Sequence, residues 1–419
     1  MDLPGGDHPK HAMDVTGNRS PVDIGCEPTG NSAVSMARKP NLTPSRRNTN
    51  LDALRALAIF MVLFRHAGMA ISLLHASTPY TLYGERIGWA GVDLFFVLSG
   101  FLISGLLFAD FQEHGRISVG RFYIRRGFKI WPALYALIFS GLLISAVMPG
   151  HHLPARGILP ELFFMQDYFP SIWGLTWSIA VEEHFYLCLP LLFLLLLRRD
   201  RGRPFAALPA IFAAIAIFCL VCRFAVGWKQ NGVVDDWTAI FPTHLRMDGL
   251  MFGVLICYFN RFRSGVFQWM VQWWGGWVVV ALALVALSIF PLENREMHTW
   301  GFTVLYLAAG FLVAKAVAHE GPKIVRIASR WLARIGVYSY SIYIWHMFFV
   351  WLVLPHFHIK SPILTYWGSI IGPIPFGIVM AKIIEIPVLR FRDRVFPTVL
   401  KESPARVPGE EARDSVAIT

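Results

Sequence analysis

Charged residues are scarce in this chain. Only 16% of its 419 residues are Asp, Glu, Lys or Arg, 55% are hydrophobic, and the mean hydropathy is +0.50. About a quarter of the residues of a soluble domain are charged, so this composition excludes an ordinary soluble protein. The formal net charge of +11 comes from basic residues clustered between apolar runs. That clustering indicates membrane topology rather than nucleic-acid binding.

The sequence also lacks the patterns of three other classes of protein. Its five cysteines lie mostly in or beside apolar runs, which argues against a disulfide framework. The sequence does not show the alternating strand pattern with regular turns that would indicate an outer-membrane β-barrel. Residues 1–50 contain no apolar segment of a cleavable signal peptide, so we predict a disordered tail there. Leu51–Leu74 is then an uncleaved signal anchor.

Long apolar runs are abundant, and about ten of them have the length of a membrane span. They cover roughly residues 52–74, 89–109, 130–148, 176–197, 205–226, 241–259, 268–290, 299–319, 336–355 and 362–386. Loops rich in Arg and Lys alternate with loops that carry about one basic residue, which predicts cytoplasmic termini. The predicted fold is an all-α integral membrane protein with about ten transmembrane helices. We expect cytoplasmic tails at 1–50 and 396–419 around a transmembrane domain at 51–395.

The first apolar run contains an arginine and a histidine, Arg65 and His66. Ionisable side chains in hydrocarbon are costly and usually have a use. Histidine titrates near neutral pH and therefore suits proton transfer. A helix-to-helix hydrogen bond is the structural alternative for His66. Arg65 points elsewhere on the helix, because adjacent residues diverge by about 100°.

The other ionisable residues of the spans form an outer and an inner group by predicted depth. The outer group joins His66 with Asp93, Glu182, Glu183, His244, Arg246 and Asp248. These residues must line a cavity or pair with one another. The inner group contains Arg125, Arg126, Lys129 and Glu385. Its basic members either bind an anionic cofactor or anchor the cytoplasmic side of the helix.

Structural alternatives remain open for several of these residues. Asp93 could balance a nearby arginine or cap its helix. Glu182 and Glu183 could form a structural pair with Arg246 or Arg223. His346 lies in the middle of a span, where a structural and a functional role are equally compatible with the sequence.

Seven segments, in order, resemble the membrane acyltransferase-3 family, which comprises O-acyltransferases that modify sugars and other acceptors outside the cytoplasm. The segments are RALAIFMVLFRHAG (55–68), GVDLFFVLSGFLISGLL (91–107), RFYIRRGFKIWPALY (121–135), WSIAVEEHFYLCLPLL (177–192), HLRMDGLMFG (244–253), YSYSIYIWHM (338–347) and IEIP (384–387). The resemblance implies transfer of an acyl group, commonly acetyl, from cytoplasmic acetyl-CoA. It is closest to the stand-alone members of the family, which have no esterase-like extracytoplasmic domain.

The resemblance also implies roles for particular residues. The essential family histidine falls on His66, and the arginine of the same motif falls on Arg55. The basic motif of the third span falls on Arg126 and Lys129, beside Arg125. Arginine is usual at the position of Lys129, and lysine lacks the bidentate fork of arginine.

Residue chemistry and the resemblance together predict a transmembrane acyltransferase. A base must activate the acceptor hydroxyl, and we expect His66 to do so, oriented by Glu182 or Glu183. The predicted catalytic residues are His66, Glu182, Glu183 and Asp93. The predicted donor-binding residues are Arg125, Arg126, Lys129, Arg55 and Ser99. The predicted acceptor-binding residues are His244, Arg246, Asp248, His346, Trp177 and Tyr186.

Ser99, together with Gly100 and Gly105, allows close approach of helices or passage of the pantetheine arm. The donor substrate is acetyl-CoA or another acyl-CoA, and no metal is predicted. The expected acceptor is a glycan or a lipid-linked saccharide. The protein itself is expected to contact membrane lipid and to lie in a bacterial inner membrane. No nucleic-acid partner is expected, and a homo-oligomer is left open.

Two other functions fit the same composition. A secondary transporter or a flippase of a lipid-linked sugar also keeps charged residues within about ten spans. Such a protein needs the outer His and acid cluster but not an inner coenzyme A site. A sensory or scaffold membrane protein would need neither.

Overall fold

The computed structural model describes residues 48–73, 78–147, 155–200, 202–229, 235–292 and 294–396, so most of both predicted tails lies outside the described residues. Within these ranges the chain is helical and contains no strand. The α-helices are α1 (Thr49–Leu73), α2 (Pro79–Gly88), α3 (Ala90–His114), α4 (Val119–Val147), α5 (Ile158–Leu162), α6 (Trp177–Arg199), α7 (Leu208–Lys229), α8 (Asp236–Ala239), α9 (Thr243–Phe262), α10 (Ser264–Gln272), α11 (Gly275–Ile289), α12 (Phe302–Ala318), α13 (Lys323–Gly336), α14 (Ser339–Phe348), α15 (Pro362–Ile371), α16 (Pro373–Met380) and α17 (Ile386–Val395).

Short segments of tighter or wider helix extend several of these elements. The 3₁₀ segments are Ala155–Gly157, Gly174–Thr176 and Leu354–Phe357. The π segments are Met297–Gly301, Phe349–Val353 and Ala381–Glu385. Turns of π-helix within an α-helix often occur at functional sites.

Eight helices within the described ranges are long and apolar enough to cross a membrane, so the predicted multi-pass all-α class is confirmed. α10 and α11 add a ninth span if they form one broken helix with a bend of 59°. The predicted sixth span corresponds to α9, which is absent from this set although it is 20 residues long. Its polar residues Thr243, Arg246 and Asp248 are buried within the protein.

α1 lies centrally and packs against α2, α3, α13, α14 and α15. α3 and α9 approach each other closely through two glycines. A Cβ at Gly100 would lie 1.9 Å from the Leu250 carbonyl oxygen, and a Cβ at Gly253 would lie 2.2 Å from the Val97 carbonyl oxygen. Small residues allow backbones of membrane helices to touch in this way. Gly100 therefore serves helix approach, the first of the two predicted roles for this segment.

Candidate active site

A cavity of about 370 Å³ lies among α1, α3, α4, α6, α14 and α17, and we call it the donor cavity. Five basic side chains line it, namely Arg55, Arg125, Arg126, Lys129 and Arg392. Four of these were predicted to bind the donor, and Arg392 was not. Ser99, Glu182 and Tyr186 also line this cavity. The structure thus brings together all five predicted donor-binding residues.

Carboxylates neutralise part of this basic lining. Lys129 Nζ donates to Glu385 Oε1, and Glu385 Oε2 accepts a hydrogen bond of 3.0 Å from Ser341. Glu385 ends a π segment, which brings its carboxylate toward α4. Arg125 lies 3.3 Å from Asp393. Lys129 therefore contributes a charge that is largely balanced within the protein.

The contacts of Arg126 differ from those of its basic neighbours Arg125 and Lys129. Its guanidinium carbon lies 4.4 Å from the centroid of the Tyr186 ring. Its Nε is buried and has no hydrogen-bond partner among the described residues. Burying an unpaired donor costs about 1–3 kcal/mol, so this atom marks a place where an acceptor on a ligand would be stabilised.

Glu182 lies in the donor cavity and not beside His66. Its Oε1 accepts from Ser99 Oγ at 2.9 Å, and its Oε2 accepts from Tyr186 OH at 2.6 Å. The prediction that Glu182 belongs to an outer group, separated by depth from the inner basic residues, is therefore wrong. Glu182 lies five residues after the start of α6 and Arg126 lies seven residues after the start of α4. The two residues line one cavity, and both contact Tyr186, whose ring lies under the Arg126 guanidinium and whose OH donates to Glu182.

Glu183 faces another side of α6, as adjacent helical residues must. Its Oε2 accepts from Trp131 Nε1 at 3.4 Å. Within the described part of the chain, neither glutamate makes a hydrogen bond to His66. The predicted carboxylate that orients His66 is therefore not seen at this position.

A second histidine contacts His66 instead. His66 Nδ1 lies 2.9 Å from the Val62 carbonyl oxygen and 3.2 Å from His346 Nε2. His346 Nδ1 in turn contacts the Tyr343 carbonyl oxygen. Carbonyl oxygens only accept, so we assign the hydrogen of each neutral ring to Nδ1. His346 Nε2 then accepts from His66 Nδ1, and His66 Nε2 carries the lone pair.

A small cavity of about 30 Å³ lies beside His66, and we call it the histidine cavity. Trp177, Trp89 and Arg65 also line it. Val92 and Tyr343 line both this cavity and the donor cavity. Tyr343 OH is held by the Leu175 carbonyl oxygen and by Ser178 Oγ, each at 2.6 Å. Val92 and Tyr343 thus form part of the wall between the histidine cavity and the donor cavity.

Three of the predicted outer residues are engaged in buried ion pairs. Asp93 Oδ1 lies 2.8 Å from Arg246, and Asp248 Oδ2 lies 2.7 Å from Arg223. The Arg246 guanidinium also lies 3.6 Å from the centroid of the Phe302 ring. The structure therefore places Asp93 where it balances an arginine, and these pairs line neither cavity as described. They connect α3, α7 and α9.

His244, another predicted acceptor residue, lies at the start of α9. Its ring stacks on Tyr168 with centroids 5.8 Å apart, and its Nδ1 lies 3.1 Å from Tyr168 OH. It is not among the residues of either cavity. Trp177, by contrast, lines the histidine cavity and stacks on Trp89 at 5.8 Å.

The residues of the two cavities that were not assigned a role there from the sequence include Arg65, Trp89, Arg392 and Tyr343. Arg65 was set aside because it diverges from His66 on the helix, yet both residues line the histidine cavity. Tyr343 precedes His346 by about one helical turn, which is a signal the sequence does contain. Trp89 immediately precedes α3 and carries no comparable signal.

A buried glutamate fixes the segment that leads into α6. Glu161 accepts hydrogen bonds from the backbone N–H of Ile172 at 3.2 Å and of Trp173 at 3.3 Å, and from Thr176 Oγ1 at 2.7 Å. Burial raises the pKa of Glu161 to about 7, although these hydrogen bonds act in the opposite direction. Through Thr176 this carboxylate sets the start of α6 and the position of Trp177.

No group of three or more His, Cys, Asp or Glu side chains in the described ranges could hold a metal ion. The site instead offers a basic cavity, a histidine pair and a small second cavity. These elements suit binding of an anionic donor next to a general base.

Comparison with known proteins gives matches at the level of the family. Residues 48–382 match the sequence profile described as Acyltransferase domain, Acyl_transf_3. A protein of Staphylococcus aureus (strain COL), provisionally named an O-acetyltransferase, is 26% identical over 360 residues, which cover 80% of this chain and 56% of the relative. The O-acetyltransferase OatA of S. aureus (strain NCTC 8325) is 25% identical over 382 residues, which cover 84% of this chain and 59% of the relative. The chain therefore spans little more than half the length of these curated relatives, and no solved structure matches it.

Proposed function

We propose, since this chain belongs to the acyltransferase-3 family, that it is a membrane O-acyltransferase. Its donor is cytoplasmic acyl-CoA, with acetyl as the acyl group, and its acceptor is a hydroxyl of an extracytoplasmic or lipid-linked glycan. The names of the O-acetyltransferase relatives support the acetyl group.

One observation carries this proposal. A basic cavity large enough for part of a nucleotide-linked thioester shares two lining residues, Val92 and Tyr343, with the small cavity beside His66. A transporter needs no such pairing of a phosphate-binding cavity with a general base. Coenzyme A carries several phosphate charges, which Arg126 and its basic neighbours would bind. The pantetheine arm then passes Ser99 toward Tyr343.

His66 Nε2 acts as the general base in this mechanism. It removes the proton of the acceptor hydroxyl as the hydroxyl oxygen attacks the acyl carbonyl carbon. The tetrahedral intermediate collapses, the carbon–sulfur bond breaks, and the proton on His66 moves to the coenzyme A sulfur. His346 accepts from His66 Nδ1 and so keeps Nε2 free and stabilises the imidazolium that forms.

The same proposal includes the topology. If α9 and the bent pair of α10 and α11 both cross the membrane with the eight apolar helices, the number of spans is the predicted ten. The basic beginning of α4 then faces the cytoplasm with both termini. The donor enters on that side and the acceptor on the other.

Labelled acetyl-CoA and the purified full chain in lipid nanodiscs test the proposal. The probe acceptors are soluble hexose and N-acetylhexosamine oligosaccharides, with release of the coenzyme A thiol as the readout. We expect His66→Ala to lower the rate by roughly 10²–10⁴-fold, the usual contribution of a general base. His356→Ala, which changes an exposed histidine after α14, is the matched control. Thiol release by His66→Ala at the wild-type rate would overturn the role of His66.

A transporter or flippase would release no thiol from acetyl-CoA under any of these conditions. Mass spectrometry of surface glycans from cells with and without the protein then identifies the acceptor. Loss of an acyl group from a glycan in the deleted strain, restored by the wild type and not by His66→Ala, is the expected result.

A further inference from the structure

Two of the residues that line the histidine cavity each carry an unpaired hydrogen-bond donor. The donors are Arg65 Nε and Trp89 Nε1, both buried and without a hydrogen-bond partner among the described residues. An unpaired buried donor is destabilising, because it has lost its hydrogen bonds to water without replacing them. Two of them at one cavity of about 30 Å³ indicate a place prepared for an acceptor atom, since such a volume suffices for a small polar group.

Arg65 is held in position by its other nitrogen atoms. Its NH1 donates to Glu85 Oε1 at 3.1 Å, and its side chain is only 13% exposed. The guanidinium carbon lies 5.6 Å from the centroid of the Trp89 ring. The salt bridge with Glu85 thus fixes the guanidinium while Nε remains available.

Trp89 is held by ring stacking. Its ring stacks on Trp177, with an interplanar angle of 9°, and Trp177 stacks in turn on Phe241 with centroids 4.7 Å apart. The preceding Gly88 allows this turn to touch α1, because a Cβ there would lie 2.5 Å from the Arg65 backbone nitrogen. A rigid indole therefore offers Nε1 beside His66.

We infer that Arg65 Nε and Trp89 Nε1 form an oxyanion-binding pair for the acyl carbonyl oxygen. This inference rests on the proposed function. When the acceptor oxygen attacks the carbonyl carbon, the electron pair of the C=O π bond moves onto this oxygen. When the carbon–sulfur bond breaks, the same pair re-forms the C=O bond and the thiolate leaves. Fixed donors stabilise that charge in the transition state without reorganisation.

The positive charge of Arg65 adds to this effect. Hydrogen bonds from a charged donor are about twice as strong as neutral ones. The ion pair with Glu85 balances the charge of Arg65 before the reaction and does not occupy Nε. The pair acts on the reacting oxygen, whereas His66 acts on the proton.

Two substitutions in the full chain test the pair. Trp89→Phe keeps the stacked ring and removes the donor, and Arg65→Lys keeps the charge and removes Nε. Loss of one oxyanion donor typically lowers kcat by roughly 10²–10³-fold. We therefore expect each variant to lose 10²-fold or more in kcat for thiol release, with KM for acetyl-CoA within about twofold of wild type.

Trp173→Phe is the matched control, because Trp173 is also buried with an unpaired Nε1 but lines neither cavity. It should retain wild-type kcat. If the two donors hold only an ordered water, Trp89→Phe and Arg65→Lys will match Trp173→Phe, and the inference is overturned. If Trp89→Phe fails to fold, Arg65→Lys alone tests the oxyanion pair, because this substitution leaves the backbone and the positive charge unchanged.

Failure of the proposed function gives a different result. In that case the wild type itself releases no thiol, and both proposals fall together. An active wild type with unaffected variants overturns only the oxyanion pair.

Discussion

At the scale of single residues, the site depends on where protons and charges are held. Two backbone carbonyls fix the hydrogens of His66 and His346, and the pair replaces the histidine–carboxylate arrangement predicted from the sequence. A neutral acceptor behind the base stabilises the imidazolium less than a carboxylate would. A neutral acceptor also places no buried charge in the unliganded protein, whereas a carboxylate would be costly to desolvate.

Replacing His346 should impair the base without affecting donor binding. His346→Leu removes one of the two acceptors of His66 Nδ1 and leaves the Val62 carbonyl oxygen, so we expect kcat to fall by up to about 10²-fold while KM for acetyl-CoA changes little. His346→Gln can still accept through its amide oxygen and should recover part of the loss. The measurement is the pH profile of thiol release. Equal activity of His346→Leu and wild type across that profile would exclude a role in orientation.

Arg126 should dominate donor affinity among the basic residues of α4. Its Nε has no partner, whereas Arg125 is paired with Asp393. We expect Arg126→Gln to raise KM for acetyl-CoA by about tenfold, since hydrogen bonds to charged groups contribute roughly 1.5–3 kcal/mol. Arg125→Gln, the matched control, should raise KM less. A larger effect of Arg125→Gln on binding of free coenzyme A would contradict this order.

At the scale of elements, close contacts and short connections set the cavities. The glycines of α3 and α9 let these helices touch, and Glu161 fixes the connection that precedes α6. Both features lie away from the reacting atoms. They nevertheless determine where Trp177 and Ser99 stand, because each residue belongs to an element that these contacts position.

Gly100→Ala should destabilise the protein strongly. Its new Cβ would overlap backbone atoms of α9, which cannot move as a flexible side chain can. Overpacking of this kind costs about 1–3 kcal/mol or more. Gly105→Ala is the matched control on the same helix, where the nearest atom to a Cβ is Cys257 Sγ at 3.6 Å. Thermal unfolding in detergent should show a lower Tm for Gly100→Ala only, and equal Tm values would contradict the predicted clash.

Glu161 predicts a pH dependence of stability. Its pKa is about 7 in the folded protein against an ordinary value of 4.5, so the folded state binds the proton more tightly. Its contribution is present below about pH 4.5 and is lost as the pH rises through 7. Tm should therefore fall between pH 5 and pH 8 more steeply for wild type than for Glu161→Gln. Parallel slopes would show that Glu161 is not responsible.

At the scale of the whole molecule, the sequence was sufficient for the class of fold and for the grouping of donor residues. Apolar runs predict membrane spans because a helix needs about 20 apolar residues to cross the hydrocarbon core of the bilayer. The basic motif of α4 and Ser99 do share one cavity. The partners of Glu182 were not predicted, and pairing of Asp93 with an arginine was only one of the alternatives, because helix rotation and tilt decide which residues at similar depth meet. The sequence pattern of α9 is limited in the same way. Because this helix is buried within the protein, it can contain polar residues that a lipid-facing helix could not.

The proposed topology predicts that the two substrates enter from opposite sides. In proteoliposomes with a single orientation, acetyl-CoA should support transfer only from the side that carries the beginning of α4. Coenzyme A does not cross a bilayer unaided because it is highly charged. Acetylation of an oligosaccharide enclosed on the other side is the measurement. Transfer only when both substrates share one side would exclude the transmembrane route.

The size of the histidine cavity has a consequence for the choice of donor. Its volume of about 30 Å³ is bounded by Val92 and Tyr343, and Tyr343 is fixed by two hydrogen bonds of 2.6 Å. An acetyl carbonyl needs little more than this space, whereas each added methylene must displace one of these side chains. Under the proposed function, Val92 and Tyr343 therefore limit the length of the acyl chain, and replacing either with a smaller residue should allow the protein to use longer acyl donors.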